Sequence, residues 1–205
     1  MPVALLGIAT ANAQIKFGAK AGVNLSTFTN TEDAKMKFGF HAGGFAEFMI
    51  SNRISIQPEL LYSTQGAIYS YSYSYLDENE EDDIINVDVD ETINLDYINL
   101  PVLLKVKLIE GLSLEVGPQI GFLLSAKNKL EEKENGVKVL SETEDIKDQY
   151  KTFDVTAVLG LSYTFAEKFI AGVRYNFGLT TVIKQAEENH NPKNGIIQIS
   201  LGYKF

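Results

Sequence analysis

The sequence predicts an all-β chain closed into an eight-stranded antiparallel up-and-down transmembrane β-barrel. Three observations carry the prediction. Eight segments alternate between apolar and polar or small residues, which is the period of a strand and not of a helix. The connections between them alternate short and long. Aromatic rings gather toward segment ends, where the two faces of a bilayer favour them.

The first segment sets Ile15, Phe17, Ala19, Ala21, Val23 and Leu25 against Lys16, Gly18, Lys20, Gly22 and Asn24. In the second, Phe38, Phe40, Ala42, Ala46, Phe48 and Ile50 oppose His41, Gly43 and Glu47, with Phe45 and Met49 intruding on the polar face. The third places Ile54, Ile56, Pro58, Leu60 and Tyr62 opposite Ser55, Gln57, Glu59 and Ser63. The fourth, residues 92–107, changes phase midway. Ile93, Leu95 and Tyr97 lead on one parity, then Ile98, Leu100, Val102, Leu104 and Val106 on the other, so a β-bulge is expected within it.

The fifth segment opposes Leu114, Val116, Ile120 and Phe122 to Glu115, Gly117, Gln119 and Gly121. The sixth opposes Phe153, Val155, Leu159, Leu161 and Tyr163 to Asp154, Thr156, Gly160 and Ser162. The seventh runs from Phe169 through Val173 and Tyr175 against Gly172, Arg174 and Asn176. The eighth, "GIIQISLGYKF", ends the sequence on Phe205 with its apolar face intact. Short connections fall at 51–53, 109–111 and 166–168, and long polar ones at 26–37, 66–91, 127–151 and 184–194. A meander with all its long loops at one end has this pattern.

Alternation alone does not say which face is inside. A soluble lipocalin-like ligand-binding barrel hides its apolar face, and a membrane barrel turns that face to lipid. Here the polar faces combine glycines with charges of both signs. Lys16, Lys20, Arg174 and Lys204 stand with Glu47, Glu59, Glu115 and Asp154 as a candidate luminal network. An eight-stranded lumen is narrow enough for such side chains to fill it. The segments are long enough for the roughly 9–11 tilted residues that span a bilayer, longer than the about 5–6 typical of soluble strands. Phe17, Tyr62, Tyr97, Tyr163, Phe169, Tyr203 and Phe205 are assigned to the membrane interfaces. A charge-filled lumen is expected to be plugged, with a small-solute porin as the alternative.

Composition narrows the function. The chain has no cysteine, which excludes disulfides and thiolate metal sites. A formal net charge of −9 excludes a nucleic-acid partner. Residues 1–13 run apolar and end Ala11-Asn12-Ala13, as the close of an export signal does, which leaves 14–205 as the barrel domain. Outside that segment no run of about 18 apolar residues occurs.

Catalytic and cofactor fingerprints are absent, and the two histidines, His41 and His190, lie on different elements, so a non-enzymatic protein without cofactor is expected. The tract Asp77 to Asp83, followed by Asp88, Asp90 and Glu91, carries oxygen ligands that suit calcium but lacks EF-hand spacing. A solvated loop is the simpler reading. Just before it, "YSYSYSY" (Tyr69 to Tyr75) reads as a hairpin continued beyond the membrane, or as a stacking surface for a glycan or partner protein.

The stretches "QPELLYSTQG", "LDYINLPVLLKVK", "LEVGPQIGFLLSA", "FDVTAVLGLSY", "AGVRYNFGLT" and the terminal Tyr-Lys-Phe occur in this order over nearly the whole chain after residue 13. The chain thereby resembles the PorT-like outer-membrane β-barrel family of Bacteroidota. The resemblance implies a Gram-negative outer membrane, both termini periplasmic, a surrounding shell of lipid and a role as anchor or component of an envelope machine. It also implies strands that tolerate Pro58, Pro101 and Pro118. A terminal Phe resembles the ending that such barrels present to their assembly machinery.

Overall fold

Period-two alternation becomes nine antiparallel strands in a computed structural model that describes residues 15–31, 33–76, 84–185 and 191–205. They are β1 (Ile15–Thr29), β2 (Lys35–Met49), β3 (Ile54–Leu76), β4 (Ile84–Lys107), β5 (Leu112–Glu134), β6 (Val137–Asp145), β7 (Phe153–Phe165), β8 (Phe169–Gly178) and β9 (Lys193–Lys204). Their order is β4-β3-β2-β1-β9-β8-β7-β5-β6, and an additional β4–β5 pairing closes a ring of eight. The ring joins first strand to last: Ala21 lies opposite Leu201, and the Phe205 amide donates to the Phe17 carbonyl at 2.9 Å. No ring strand is left with an open edge, which hydrocarbon would punish.

The ninth strand lies outside the ring. β6 pairs with β5 alone, through a hairpin whose Asn135 and Gly136 adopt φ 47° and 82°. Asn-Gly is the strongest short hairpin signal, because both central residues of a type I′ turn need positive φ. The expected loop 127–151 is therefore partly sheet. The expected loop 66–91 also changes character: β3 and β4 stay paired from Ile54↔Val106 out to Leu76↔Ile84. β3 to β6 thus continue past the barrel as one sheet, while short turns and both ends of the described chain occupy the opposite end.

The bulge expected in the fourth segment is on its neighbour. Asp96 faces Ser125 and Tyr97 faces Leu123, so the extra residue is Leu124, on β5. β4 itself never changes phase. Ile93, Leu95, Tyr97, Leu103 and Lys105 are all buried, while Leu100, Val102 and Leu104 are exposed. What changes along β4 is the chemistry of the lumen: apolar near the loops, polar toward the turns.

Outside and inside are inverted relative to a soluble barrel. Phe17, Phe38, Leu60, Ile120, Leu159, Val173 and Leu201 are exposed, while Glu47, Glu59, Glu115, Arg174, Gln57 and Asn176 are buried. This is the arrangement that lipid requires and that water would not tolerate over so large an area. Beside two of the prolines the ladder is interrupted: pairing stops at Pro58↔Val102 and resumes at Leu61↔Asn99, and stops at Pro101↔Gln119 before Leu104↔Val116. A residue without an N–H costs least where the ladder already lapses.

Candidate functional site

The inward faces build a layered plug. Its centre is Arg174 of β8, whose Nη1 and Nη2 donate to Glu59 of β3 at 2.8 and 2.7 Å, while its Nε donates to Glu115 of β5 at 2.6 Å. The planar fork of a guanidinium matches a carboxylate in two parallel bonds. Lys20 of β1 stands 3.4 Å from Glu59, and the Gln57 amide donates to the same carboxylate at 2.6 Å. Toward the turn end, Lys105 of β4 lies 3.4 Å from Glu115 and 3.7 Å from Glu47, and donates to Gln57 Oε1 at 3.1 Å. Lys204 of β9 closes the chain on Glu47 at 2.7 Å.

Toward the loops the charges give way to neutral polar groups. Asn24 donates to Ser63 Oγ at 3.0 Å, its Oδ1 lies 2.7 Å from His41 Nδ1, and Gln198 donates to that same oxygen at 3.1 Å. Above them Phe28, Ala67, Ile93, Leu95, Tyr97, Leu123, Ile146, Tyr150 and Val182 pack into an apolar cluster. Tyr150 pairs with Ile183 in an isolated bridge that holds the long connections over this cluster. Within the charged layer a cavity of only about 10 Å³ is found, room for one water.

Close packing here depends on glycine. A Cβ on Gly18 would overlap the Phe45 ring and the Tyr203 carbonyl, and one on Gly43 would overlap the Leu60 carbonyl. Phe45, which breaks the polar alternation of β2, is thus an inward wedge seated on a bare backbone.

All eight charged residues singled out from the sequence lie on the inward parity, but they do not form one network. Lys20, Glu47, Glu59, Glu115, Arg174 and Lys204 join it. Asp154 does not: it accepts from Thr180 at 2.9 Å and from Asn194 at 2.6 Å, near the loop end, and makes no ion pair with a described residue. Lys16 stands at the open mouth of the turn end, likewise without an ion pair among the described residues. Lys105 was missed, although its odd-numbered place on β4 marks it as inward once the strand is read in a single phase.

The interface aromatics also divide. Phe165, Phe169, Tyr203 and Phe205 follow one another with ring centroids 5.5, 5.2 and 5.8 Å apart, and Phe17 and Tyr163 are exposed at the same end. Tyr62 contacts Phe40 at 5.8 Å toward the loops. Tyr97 is corrected: at 1% exposure it belongs to the inner apolar cluster, because β4 keeps its phase.

His41 is held by Asn24, with no nucleophile among its hydrogen-bond partners. Among the described residues no group of three His, Cys, Asp or Glu is placed to hold a metal. His190, the tract 77–83 and residues 1–13 lie outside the described residues, so the expectations placed on them have no structural counterpart here.

The model of a family described as outer membrane protein beta-barrel domain matches residues 10–184. No curated protein matches the chain in sequence. Among solved structures the chain is similar to Ail, the attachment invasion locus protein of Yersinia pestis, at 13% identity and TM-score 0.47, covering 93% of this chain and 98% of that one. It is similar to Neisserial surface protein A at 15% identity and TM-score 0.47, covering 92% and 97%. The outer membrane protease OmpT of Escherichia coli aligns at 10% identity and TM-score 0.39, covering 94% of each chain.

Proposed function

The chain belongs to the outer membrane protein β-barrel domain family, and from that premise we propose that it is a non-enzymatic membrane anchor that presents a folded β-sheet at the cell surface to an envelope protein or a glycan. The observation that carries this reading is the sheet of β3 to β6 beyond the lipid-facing band. On one of its faces Tyr71, Tyr73 and Tyr75 are exposed over the buried Val87 and Val89, and the Tyr73 and Tyr75 rings stack at 6.5 Å. On the other, Ser72 donates to Asp88 at 2.6 Å and Ser74 to Asn86 at 2.7 Å. The alternating "YSYSYSY" supplies both faces, one for packing and one for cross-strand bonds.

The plug below supports an anchor over a conduit: among the described residues, ion pairs, amides and an apolar cluster fill the lumen in turn, which disfavours the small-solute porin. In the proposed topology the turn end and both termini are periplasmic, residues 1–13 direct export, and the C-terminal strand is read by the assembly machinery. The PorT-like resemblance favours an envelope machine of Bacteroidota as the setting.

Because the chain has no native cysteine, topology can be read by single substitutions. Ser72→Cys should react with a membrane-impermeant maleimide on intact cells and Arg53→Cys only after lysis; the opposite pattern overturns the reading. In planar bilayers the barrel should show no discrete conductance steps, and regular steps would restore the porin.

A further inference from the structure

We propose that the mouth of the barrel at the turn end is a binding site for small organic anions bearing carboxylate or phosphate groups. The mouth encloses about 750 Å³, within the roughly 300–1,000 Å³ of small-molecule sites. Its charge is opposite to that of the whole protein. The chain carries a formal −9, yet the mouth is lined by five basic side chains and three acidic ones.

The excess begins at the floor. In the plug beneath, Lys20, Lys105, Arg174 and Lys204 share only Glu47, Glu59 and Glu115. Glu47 must serve both Lys105 and Lys204, the two lysines of the plug that also line the mouth. Both are held in place, since Lys105 is 3% exposed and Lys204 is anchored at 2.7 Å. The wall adds Lys16, Arg53 and Lys107, none of which forms an ion pair with a described residue, against Glu110 and Glu167. A surplus of one positive charge on buried and half-buried groups is costly unless an anion meets it. A concave, low-dielectric wall also focuses the potential of such a surplus into the space above. Met49, Ile54 and Phe165 give the same wall an apolar side on which the body of the ligand can lie. Because the plug shuts the far side, the mouth holds its ligand without passing it on. This inference stands apart from the surface role of β3 to β6, which sits at the other end.

The test is calorimetric titration of the detergent-refolded full chain, in a nonionic detergent, with citrate and inorganic phosphate and with sorbitol as neutral control. Both anions should bind, sorbitol should not, and affinity should fall as salt rises. The double variant Lys16→Gln, Lys107→Gln should bind citrate about tenfold more weakly, and Glu167→Gln should bind it more tightly. Heat-modifiable migration shows that each variant is folded. Absence of anion binding, equal heats with sorbitol, or citrate affinity unchanged in the folded double variant would overturn the proposal.

Discussion

Arg174 and Glu59, 115 positions apart in sequence, meet across the lumen with both guanidinium Nη atoms on both carboxylate oxygens. Neither is exposed, and each has a further partner, Glu115 for the arginine and Lys20 for the glutamate. Such a pair is a poor source of net stability but expensive to break from one side, because the survivor is left charged and dry.

Replacing Arg174 by Met should therefore lower stability by about 3–5 kcal/mol, whereas Arg174→Lys, which keeps the charge beside Glu59 and Glu115 but loses the planar fork, should lose less. Urea unfolding in detergent, followed by tryptophan-free far-UV circular dichroism because the chain has no Trp, measures both. An Arg174→Met variant as stable as the parent contradicts the network.

Gly18→Val should fail for a different reason. Its side chain would enter the space of the Phe45 ring and the Tyr203 carbonyl, and overpacking of this kind costs about 1–3 kcal/mol. Shrinking the partner, in Gly18→Val with Phe45→Ala, should relieve the part due to the ring and leave the part due to the backbone. The heat-modifiable band on a gel, scored against temperature, separates the two.

Phe205 is 75% exposed, and its amide completes the last bond to β1 at Phe17. Deleting it removes one edge bond and one ring from a row of aromatics, a small loss to the inserted barrel. We expect a large fall in the fraction assembled into the outer membrane and little change in the unfolding midpoint of barrels that do insert. Equal assembly of the truncated chain rules out a role for Phe205 as an assembly signal.

Outside the membrane, Glu131 of the projecting sheet accepts from Lys129 at 2.8 Å and from Lys138 at 2.6 Å. Those two donors, Lys129 first, hold its carboxyl well below the usual carboxylate range, at about 2. A folded value below the unfolded one of about 4.3 means that the favourable interaction is present above pH ~4.3 and is lost as pH falls through about 2. The site is solvent-exposed, so the consequence is local order in the β5–β6 hairpin more than global stability. Carbon-detected NMR titration should find the low value, and Lys129→Gln with Lys138→Gln should return it toward ~4.3.

The sequence by itself separated two faces on each strand, and the glycines and mixed charges of one marked it as inward. A pleated strand has a period of two, so Glu59 had to face away from Leu60, Glu115 from Val116 and Arg174 from Val173. It also held, in Asn135-Gly136, the turn that extends β5 into β6, and, in the serine and tyrosine parity of residues 69–75, the sheet that leaves the membrane. Which inward residues touch was decided only by the tertiary structure. Partners across a closed barrel depend on the stagger of every intervening strand, and that stagger is the sum of pairings such as Gly18↔Lys204 and Glu115↔Gly160, which no local pattern contains. For the same reason Asp154 left the charge network for Thr180 and Asn194. Tyr97 turned inward because an apolar lumen can mimic a phase slip along a strand that has none. The positive mouth could arise only from closure, which brings Lys16, Lys107 and Lys204, on strands far apart in sequence, around one opening.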